Sequence, residues 1–313
     1  MESKKINWLY LSIILIYIGM VVLLNIFYLV WGRTDFLGVA ANVILSELLV
    51  LGPALIFLGM RRQPWNNWLG FRKIKLSTFL MTILYTFLIM PLAVLLNAIS
   101  MLFVENEMSM MSGDILNMPF WMMLLLIGIY GPFCEEFVFR GIIYMGYKKT
   151  GSIFSSIILS ALLFGLMHMN FNQAPYAIAI GIMFALLVEA SGSLWASVIA
   201  HIIVNSRMIF LLYLSESVLP GYMEQSVQET LSKEMLLVSI GFYLVAAAAA
   251  TAIAVCVLVW IAKNENRAEH LRSIWIHRKV RSGRLVSIPL IMAILLCLVY
   301  MIAPFVLAHF PVT

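Results

Sequence analysis

Nine runs of about 20 apolar residues constrain the fold of this chain more than any other feature. A helix needs about 20 such residues to cross a bilayer core, where every backbone polar group must be bonded within the protein. Of the 313 residues, 63% are hydrophobic and 11% charged, whereas about 25% are charged in a soluble domain. The sequence therefore predicts an all-α, polytopic membrane bundle with spans near 8–31, 36–59, 76–104, 120–146, 152–171, 174–190, 194–214, 235–262 and 285–309.

The Lys and Arg residues predict the orientation of these spans, because cytoplasmic loops of membrane proteins are rich in them. With the N-terminus inside, only Arg33 and Lys233 of the 20 fall in outside loops, and Arg140 and Arg207 fall within spans. All the others lie in inside segments. The net charge of +5 is thus a signal of topology, and we expect no nucleic-acid partner. The first span is expected to be an anchor, and the protein to lie in the plasma membrane.

Polar residues inside the predicted spans are the candidates for function. A charged group at the bilayer centre costs at least about 2.5–3.5 kcal/mol, so it faces the protein interior or a wet cavity. The three histidines at the predicted membrane surface, His270, His277 and His309, are expected to be interfacial or solvated. The candidates within the spans are Glu47, Glu135, Glu136, Arg140, His168, Glu189, His201, Asn205 and Arg207.

The stretch GPFCEEFVFRG, residues 131–141, carries three of these candidates. Glu136 and Arg140 are four residues apart, so they share a helical face in the order that favours an ion pair. Glu135 lies about 100° around the helix and is left without a built-in partner. Pro132 removes a backbone donor and bends the helix, which is tolerated where the segment lines a cavity. A purely structural ion network is the alternative, although buried ion pairs contribute little stability.

Two further motifs place imidazoles and an amide in the membrane: His168 in FGLMHMN, and His201 with Asn205 in HIIVN. A lone buried histidine is more often structural. Together with a free glutamate, however, the set contains a base, an imidazole to share a water molecule, and donors for an oxyanion. One glutamate and two histidines could also bind zinc, and the sequence leaves both possibilities open.

Depth along the helices gives a further constraint on this candidate site. Counted from the cytoplasmic ends at about 1.5 Å per residue, His168 lies deeper than Glu135 and His201. Either the fifth helix begins below the membrane surface, or the polar turn that follows His168 is buried within the protein.

The three motifs, in this order on separate predicted helices, resemble those of the CPBP family of intramembrane proteases. That family includes the type II CAAX prenyl endopeptidases and the bacteriocin-immunity Abi proteins. The resemblance divides the chain into two N-terminal spans with a basic loop (1–75), a CPBP-like core (76–214), and a region with an acidic outside loop, two further spans and a basic inside loop (215–313). The motif residues are Glu135, Glu136 and Arg140, then Phe164 and His168, then His201 and Asn205.

The resemblance implies an all-helical membrane fold whose active site opens toward the cytoplasmic leaflet, with Glu135 as the general base on a water molecule. It further implies that His168 holds the water, that His201 and Asn205 stabilise the oxyanion, and that Glu136 and Arg140 position Glu135. Many family members are labelled metalloproteases, but the family mechanism depends on glutamate without an obligatory metal. We therefore expect no required cofactor, with zinc left as a possibility.

Other functions fit the sequence less well. The chain has no His-Glu-x-x-His motif, and its only aspartates, Asp35 and Asp114, fall in predicted outside loops. Ser193 or Ser197 near His201 is conceivable as a nucleophile, but gives the free glutamate no role. A non-catalytic scaffold or immunity factor of the same family is the main alternative, and a transporter is a weaker one. The expected substrate is a membrane-associated peptide or protein.

The predicted inside loop 263–284 combines basic and apolar residues. Leu271, Ile274 and Trp275 recur at helical spacing among Lys and Arg, which is typical of an interfacial amphipathic helix. Such a helix could bind anionic lipids beside the active site, each basic residue contributing on the order of 1 kcal/mol. A signal of topology alone is the simpler interpretation.

Overall fold

A computed structural model describes residues 2–32, 38–61, 65–219, 233–279 and 283–309. These ranges contain helices and connecting turns but no strand, so the all-α prediction is confirmed. The helices are α1 (Glu2–Trp31), α2 (Val39–Gly59), α3 (Asn66–Leu69), α4 (Leu76–Ser100), α5 (Glu107–Leu116), α6 (Phe120–Lys148), α7 (Ile153–Met167), α8 (Gln173–Ser191), α9 (Leu194–Val218), α10 (Lys233–Asn264), α11 (Ala268–Ile276) and α12 (Ile288–His309).

Eight helices of the described chain are long and apolar enough to cross a membrane, and the fifth predicted span is a shorter one. It forms α7, whose 15 residues cover about 22 Å, less than a bilayer core of about 30 Å. The turn from α7 to α8 is buried, because Asn172 is only 3% exposed. Its amide donates to Asn97 Oδ1 at 3.0 Å and to Ser100 Oγ at 3.1 Å. The polar turn after His168 therefore lies inside the protein, as one of the two depth alternatives predicted.

Two glycines allow α7 and α8 to pack closely. A Cβ atom at Gly165 would lie 2.4 Å from Ile178 Cγ1 and 2.8 Å from the Ala174 carbonyl oxygen. A Cβ at Gly181 would lie 3.1 Å from Ala161 Cα. Real Cβ atoms essentially never come within 3.0 Å of another heavy atom and rarely come as close as 3.1 Å, so larger residues at these two positions would push the helices apart. This packing fixes where the end of α7, with its histidine, lies in the bundle.

Basic residues from distant segments meet at one end of the bundle. Arg61 forms an ion pair with Glu2, and its guanidinium lies 4.1 Å from the ring centre of Trp68. Lys149 Nζ lies 3.1 Å from the same ring. The start of α1, the end of α2 and the end of α6 are therefore neighbours, as the predicted alternation requires. Which side of the membrane this end faces stays a prediction.

Glu189, near the end of α8, binds several groups at this end of the bundle. Its carboxylate is 1% exposed and accepts hydrogen bonds from Tyr144 Oη at 2.8 Å, Lys148 Nζ at 2.5 Å and His270 Nε2 at 2.5 Å. Arg267 Nε donates to its backbone oxygen at 2.7 Å. The His270 side chain is 32% exposed, which agrees with the predicted interfacial position, but its ring also pairs with a buried carboxylate that the sequence did not indicate. Glu189 fastens α11 and the turn before it to α6 and α8.

The predicted amphipathic helix is present as α11, with its apolar side facing the protein. Leu271 and Ile274 pack in a cluster with side chains of α6, α7 and α8, whereas Trp275 is 62% exposed. Residues 280–282 of the predicted loop 263–284 lie outside the described residues. The helix thus uses most of its apolar stripe for docking and leaves a tryptophan and basic side chains on the surface.

Candidate active site

The first motif lies in the middle of α6, where the helix changes its winding. Two π-helical stretches, Leu124–Tyr130 and Phe137–Tyr144, flank the α-helical stretch Gly131–Glu136 that contains both glutamates. Such wide turns are frequent at functional sites, since they turn side chains away from the regular helical positions. The bend predicted at Pro132 thus corresponds to an irregular segment whose middle part presents Glu135 and Glu136.

Side chains of helix α9 donate to two backbone carbonyls in the turn before Pro132, which has no N–H of its own to donate. A regular α or π turn would bring the N–H of residue 132 to the carbonyl of Gly128 or Ile127, but proline has none. Asn205 Nδ2 donates to Ile127 O at 3.1 Å, and Ser206 Oγ donates to Gly128 O at 3.3 Å. The missing donor is a sequence signal for such partners, yet Ser206 is not among the site residues predicted from the sequence.

The predicted ion pair between Glu136 and Arg140 is present and buried. Arg140 Nη1 donates to Glu136 Oε1 at 2.7 Å, and the two side chains are 0% and 2% exposed for Glu136 and Arg140. The guanidinium carbon also lies 4.2 Å from the ring centre of Phe164 and 5.5 Å from that of Phe184. Charge neutralisation and two aromatic faces together stabilise the cation in an apolar surrounding.

Glu136 also holds the first histidine of the third motif. His201 Nδ1 donates to Glu136 Oε1 at 2.9 Å, so one carboxylate oxygen accepts from both the imidazole and the guanidinium. This leaves His201 Nε2 facing Glu135, 3.6 Å from its Oε2. That distance exceeds a direct hydrogen bond, but both atoms are close enough to contact one water molecule. Glu136 and Arg140 therefore position Glu135 indirectly, through His201, and not by direct contact with the Glu136 carboxylate.

The two adjacent glutamates therefore have different surroundings. The Glu136 side chain is 0% exposed and carries an ion pair with Arg140, whereas the Glu135 side chain is 23% exposed. Within the described residues, no Lys or Arg forms an ion pair with Glu135. The 100° separation in the sequence predicted this difference, and the structure agrees with it.

His168 joins the site through Phe164, which the second motif places one turn before it. His168 Nδ1 lies 2.9 Å from Phe164 O. Because a carbonyl only accepts, Nδ1 carries a hydrogen, and in the neutral imidazole this leaves Nε2 with a free lone pair. The Phe164 ring meets His168 edge-on at 5.0 Å and His201 at 5.9 Å. The Phe164 ring thus contacts both imidazoles and also the guanidinium of Arg140.

The other polar candidates divide between the site and the rest of the bundle. Glu47 reaches the site from α2, since its Oε1 would lie 3.3 Å from a Cβ at Gly131. Arg207 is exposed on α9. The hydroxyls of Ser193 and Ser197 donate to backbone carbonyls. Across the described ranges, no group of three or more His, Cys, Asp or Glu side chains is arranged to hold a metal ion.

This geometry defines a class: a multi-pass membrane protein with glutamate, histidine and arginine side chains gathered at a site within the bundle. Residues 117–207 match the family model described as Type II CAAX prenyl endopeptidase Rce1-like. The matching segment contains all three motifs, which confirms the resemblance predicted from them. No solved structure matches the chain.

Two curated bacterial proteins are similar to the chain. The putative membrane peptidase YdiL of Bacillus subtilis (strain 168) is 30% identical over 124 residues, which cover 39% of this chain and 47% of that protein. The membrane-embedded CAAX protease MroQ of Staphylococcus aureus (strain USA300) is 24% identical over 202 residues, covering 61% and 76%. The chain thus matches about half the length of the first relative. Together these similarities support a membrane peptidase resembling the CAAX proteases.

The two glutamates should differ in their effect on stability. Glu136→Gln removes the negative charge that Arg140 and His201 share, so a buried cation loses its partner, at a cost of about 3–5 kcal/mol. Glu135→Gln removes no ion pair with Arg or Lys and should change stability little. Thermal unfolding of the two purified variants in one detergent measures the difference. Equal melting temperatures for both variants and the wild type would contradict the assigned ion pair.

Proposed function

We propose that the chain is an intramembrane endopeptidase that hydrolyses peptide bonds of membrane-associated proteins or peptides with a water molecule activated by Glu135. One observation carries the proposal. Glu135 is the carboxylate of the first motif that no Lys or Arg in the described chain neutralises, and it faces His201 Nε2 at 3.6 Å. The family match and the names of the relatives support a peptidase in general.

The proposed reaction begins with the water molecule. Glu135 takes one of its protons while His168 Nε2 accepts a hydrogen bond from the other, and the oxygen attacks the scissile carbonyl carbon. General-base catalysis of this kind contributes typically about 10²–10⁴-fold to the rate. Glu135 then gives its proton to the leaving nitrogen as the C–N bond breaks, so the base returns to its starting state.

Stabilisation of the oxyanion is assigned to His201 and Asn205. For Nε2 of His201 to donate, the ring must be an imidazolium, with a hydrogen on both nitrogens. Asn205 uses one N–H to hold Ile127 O, which fixes the amide and leaves a second N–H for the substrate. Loss of a single oxyanion donor costs about 10²–10³-fold in kcat in other hydrolases.

Replacing Glu135 with Gln should abolish proteolysis while the protein stays folded and inserted, because the amide cannot accept the proton of water. The protein termini of membrane fractions from cells with wild-type protein and with the variant would be compared by mass spectrometry. A peptide spanning a junction found in this way then serves as substrate for the purified protein in vesicles. We expect at least a 10²-fold loss of cleavage.

Glu105→Gln is the matched control, since this glutamate is exposed and lies outside the motifs. It should cleave like the wild type. Cleavage by Glu135→Gln at the wild-type rate would refute the proposed base. A cellular phenotype that survives in Glu135→Gln, with no altered termini, would identify the non-catalytic scaffold or immunity factor instead. Ion flux without product would identify a transporter.

We further propose that the reaction requires no metal ion, with zinc as the alternative. The purified active protein is expected to contain less than stoichiometric zinc by elemental analysis, and to keep its activity after dialysis against a chelator. About one zinc per chain, lost in both His168→Ala and His201→Ala, would show that the two imidazoles are metal ligands and would overturn this proposal.

The plasma membrane is the proposed location, with α11 lying on the surface of its anionic inner leaflet. The helix exposes Trp275, and Arg272 and Lys279 are exposed beside it. Arg278 stacks on the tryptophan, with its guanidinium carbon 4.3 Å from the ring centre. This arrangement of an aromatic ring among cations is typical of segments that lie at a membrane surface.

Replacing Arg272, Arg278 and Lys279 with Gln should raise the apparent KM for a membrane-bound substrate in anionic vesicles, because the attraction to the lipid surface is weakened. The same variant should match the wild type in vesicles of neutral lipid. Equal KM values in both kinds of vesicle would leave the basic residues as topology signals only.

A further inference from the structure

Glu47 is a carboxylate within a membrane span that the proposed reaction leaves without a role. It lies in the middle of α2, a helix whose sequence contains no Lys or Arg. Its Oε2 is buried and has no hydrogen-bond partner among the described residues. An unpaired, charged carboxylate in an apolar surrounding costs folding free energy. The position of this side chain therefore requires an explanation.

The Glu47 carboxyl group packs directly against the backbone of α6 at Gly131, and this contact is called the Gly131 seat. A Cβ at this position would lie 3.3 Å from Glu47 Oε1 and 3.7 Å from its Cδ. Any larger residue at 131 would therefore press on the carboxyl group. Glycine thus allows a side chain of α2 to lie directly against α6, at the N-terminal end of the α-helical stretch that carries both glutamates.

This seat is on the same face of α6 as Glu135. Residues 131 and 135 are four apart, and side chains at this spacing lie one above the other on a helix. The two carboxyl groups are close enough for their charges to interact. Glu136, which pairs with Arg140, points to another side of α6. Glu47 and Glu135 therefore form a pair of acidic groups, one from each of two packed helices.

Among the described residues no Lys or Arg forms an ion pair with either carboxyl group, although the charge of Arg140, which is paired with Glu136, also acts on Glu135. The titratable groups of α6 that interact with Glu47 are Tyr130, Cys134 and Glu135, and none of them is basic. In α1, which also packs against α2, the only basic residues are Lys4 and Lys5 in its first turns, far along the helix. On α9, His201 faces Glu135. Two like charges this close cannot both form readily in a low dielectric.

We propose that Glu47 is a positioning residue for Glu135: its carboxyl group keeps a proton that the two glutamates share, so that Glu135 carries the negative charge. The assignment of the proton follows from the surroundings, because Glu135 is 23% exposed and faces an imidazole, whereas Glu47 Oε2 is buried and unbonded. The role rests on the proposed function, in which an ionised Glu135 activates water.

Infrared spectroscopy of the carboxyl groups tests the pairing without any substrate. The full-length protein would be placed in nanodiscs of neutral phosphatidylcholine and titrated with pH, and the carbonyl band of protonated carboxylic acids followed. In the wild type we expect a band that persists well above the pH at which a solvated glutamate, with a pKa of about 4.3, loses it. This band should be absent in Glu47→Gln and unchanged in the exposed control Glu105→Gln.

The coupling itself is measured in Glu135→Gln. With the neighbouring charge removed, the remaining Glu47 band should titrate at a pH lower by about one unit or more, the size expected of two interacting sites. An unchanged titration of the band in Glu135→Gln, or a band that persists in Glu47→Gln, would overturn the pairing. If Glu47→Gln does not insert into the membrane, the comparison of Glu135→Gln with the wild type still tests whether the two carboxyl groups are coupled.

The result is independent of proteolysis. A protein that shows the coupled titration but cleaves nothing would disprove the proposed peptidase and keep the carboxyl pair. A protein that cleaves, loses cleavage in Glu135→Gln, and shows no coupling would keep the peptidase and remove the role of Glu47. Because a glutamine fills the same space without a charge, Glu47→Gln should also melt no lower than the wild type.

Discussion

The buried carboxylate of Glu136 is the interaction on which the rest of the site depends. It accepts hydrogen bonds from Arg140 and His201 with a single oxygen, and it is 0% exposed. A charge in this position requires partners, since removing it from water costs several kcal/mol. The partners come from the next turn of α6 and from α9. The same carboxylate thus holds two helices in register and sets the direction of an imidazole.

The second structural constraint is the backbone of α6 around Pro132. Proline leaves a carbonyl without its donor, and Asn205 and Ser206 of α9 donate to the carbonyls of Ile127 and Gly128 in the preceding turn of α6. Helix α9 is therefore attached to α6 twice, through His201 itself and through the turn that follows it. The two π-helical stretches give α6 the irregular winding that these attachments and the glutamates require. Side chains and backbone cooperate to place His201 beside Glu135.

Local contacts of the site could be predicted from the sequence, and contacts between distant segments could not. The spacing of Glu136 and Arg140 predicted their ion pair, since a helix brings residues four apart together. The hydrogen bond from His201 to Glu136 spans 65 residues, and helical periodicity contains no information about it. The same limit applies to His270. Its interfacial position could be predicted, but its partner Glu189, 81 residues away in another helix, could not.

Helical periodicity alone also could not show how a short helix such as α7 ends, or which partner the apolar side of a helix such as α11 contacts. Apolar runs predicted the fold class correctly, but α7 has only 15 residues and ends in a buried turn. Composition does not distinguish a turn in water from one that is hydrogen-bonded inside the protein, as Asn172 is. For α11, spacing predicted an amphipathic helix, but apolar residues bind protein or lipid equally well. Only the neighbouring helices decided that Leu271 and Ile274 face the core.

The surroundings of three glutamates show how one site can hold carboxyl groups in different states. Glu136 has two donors and no exposure, so it is a fixed anion. Glu135 has an imidazole at one side and partial access to solvent, which suits a base that gains and loses a proton. Glu47 has no cationic partner in the described chain and a buried oxygen, which suits a neutral acid. Acid–base chemistry on a water molecule requires neighbouring carboxyl groups in different protonation states, and different surroundings provide this. Three residues of the same type therefore contribute differently because of the helices around them.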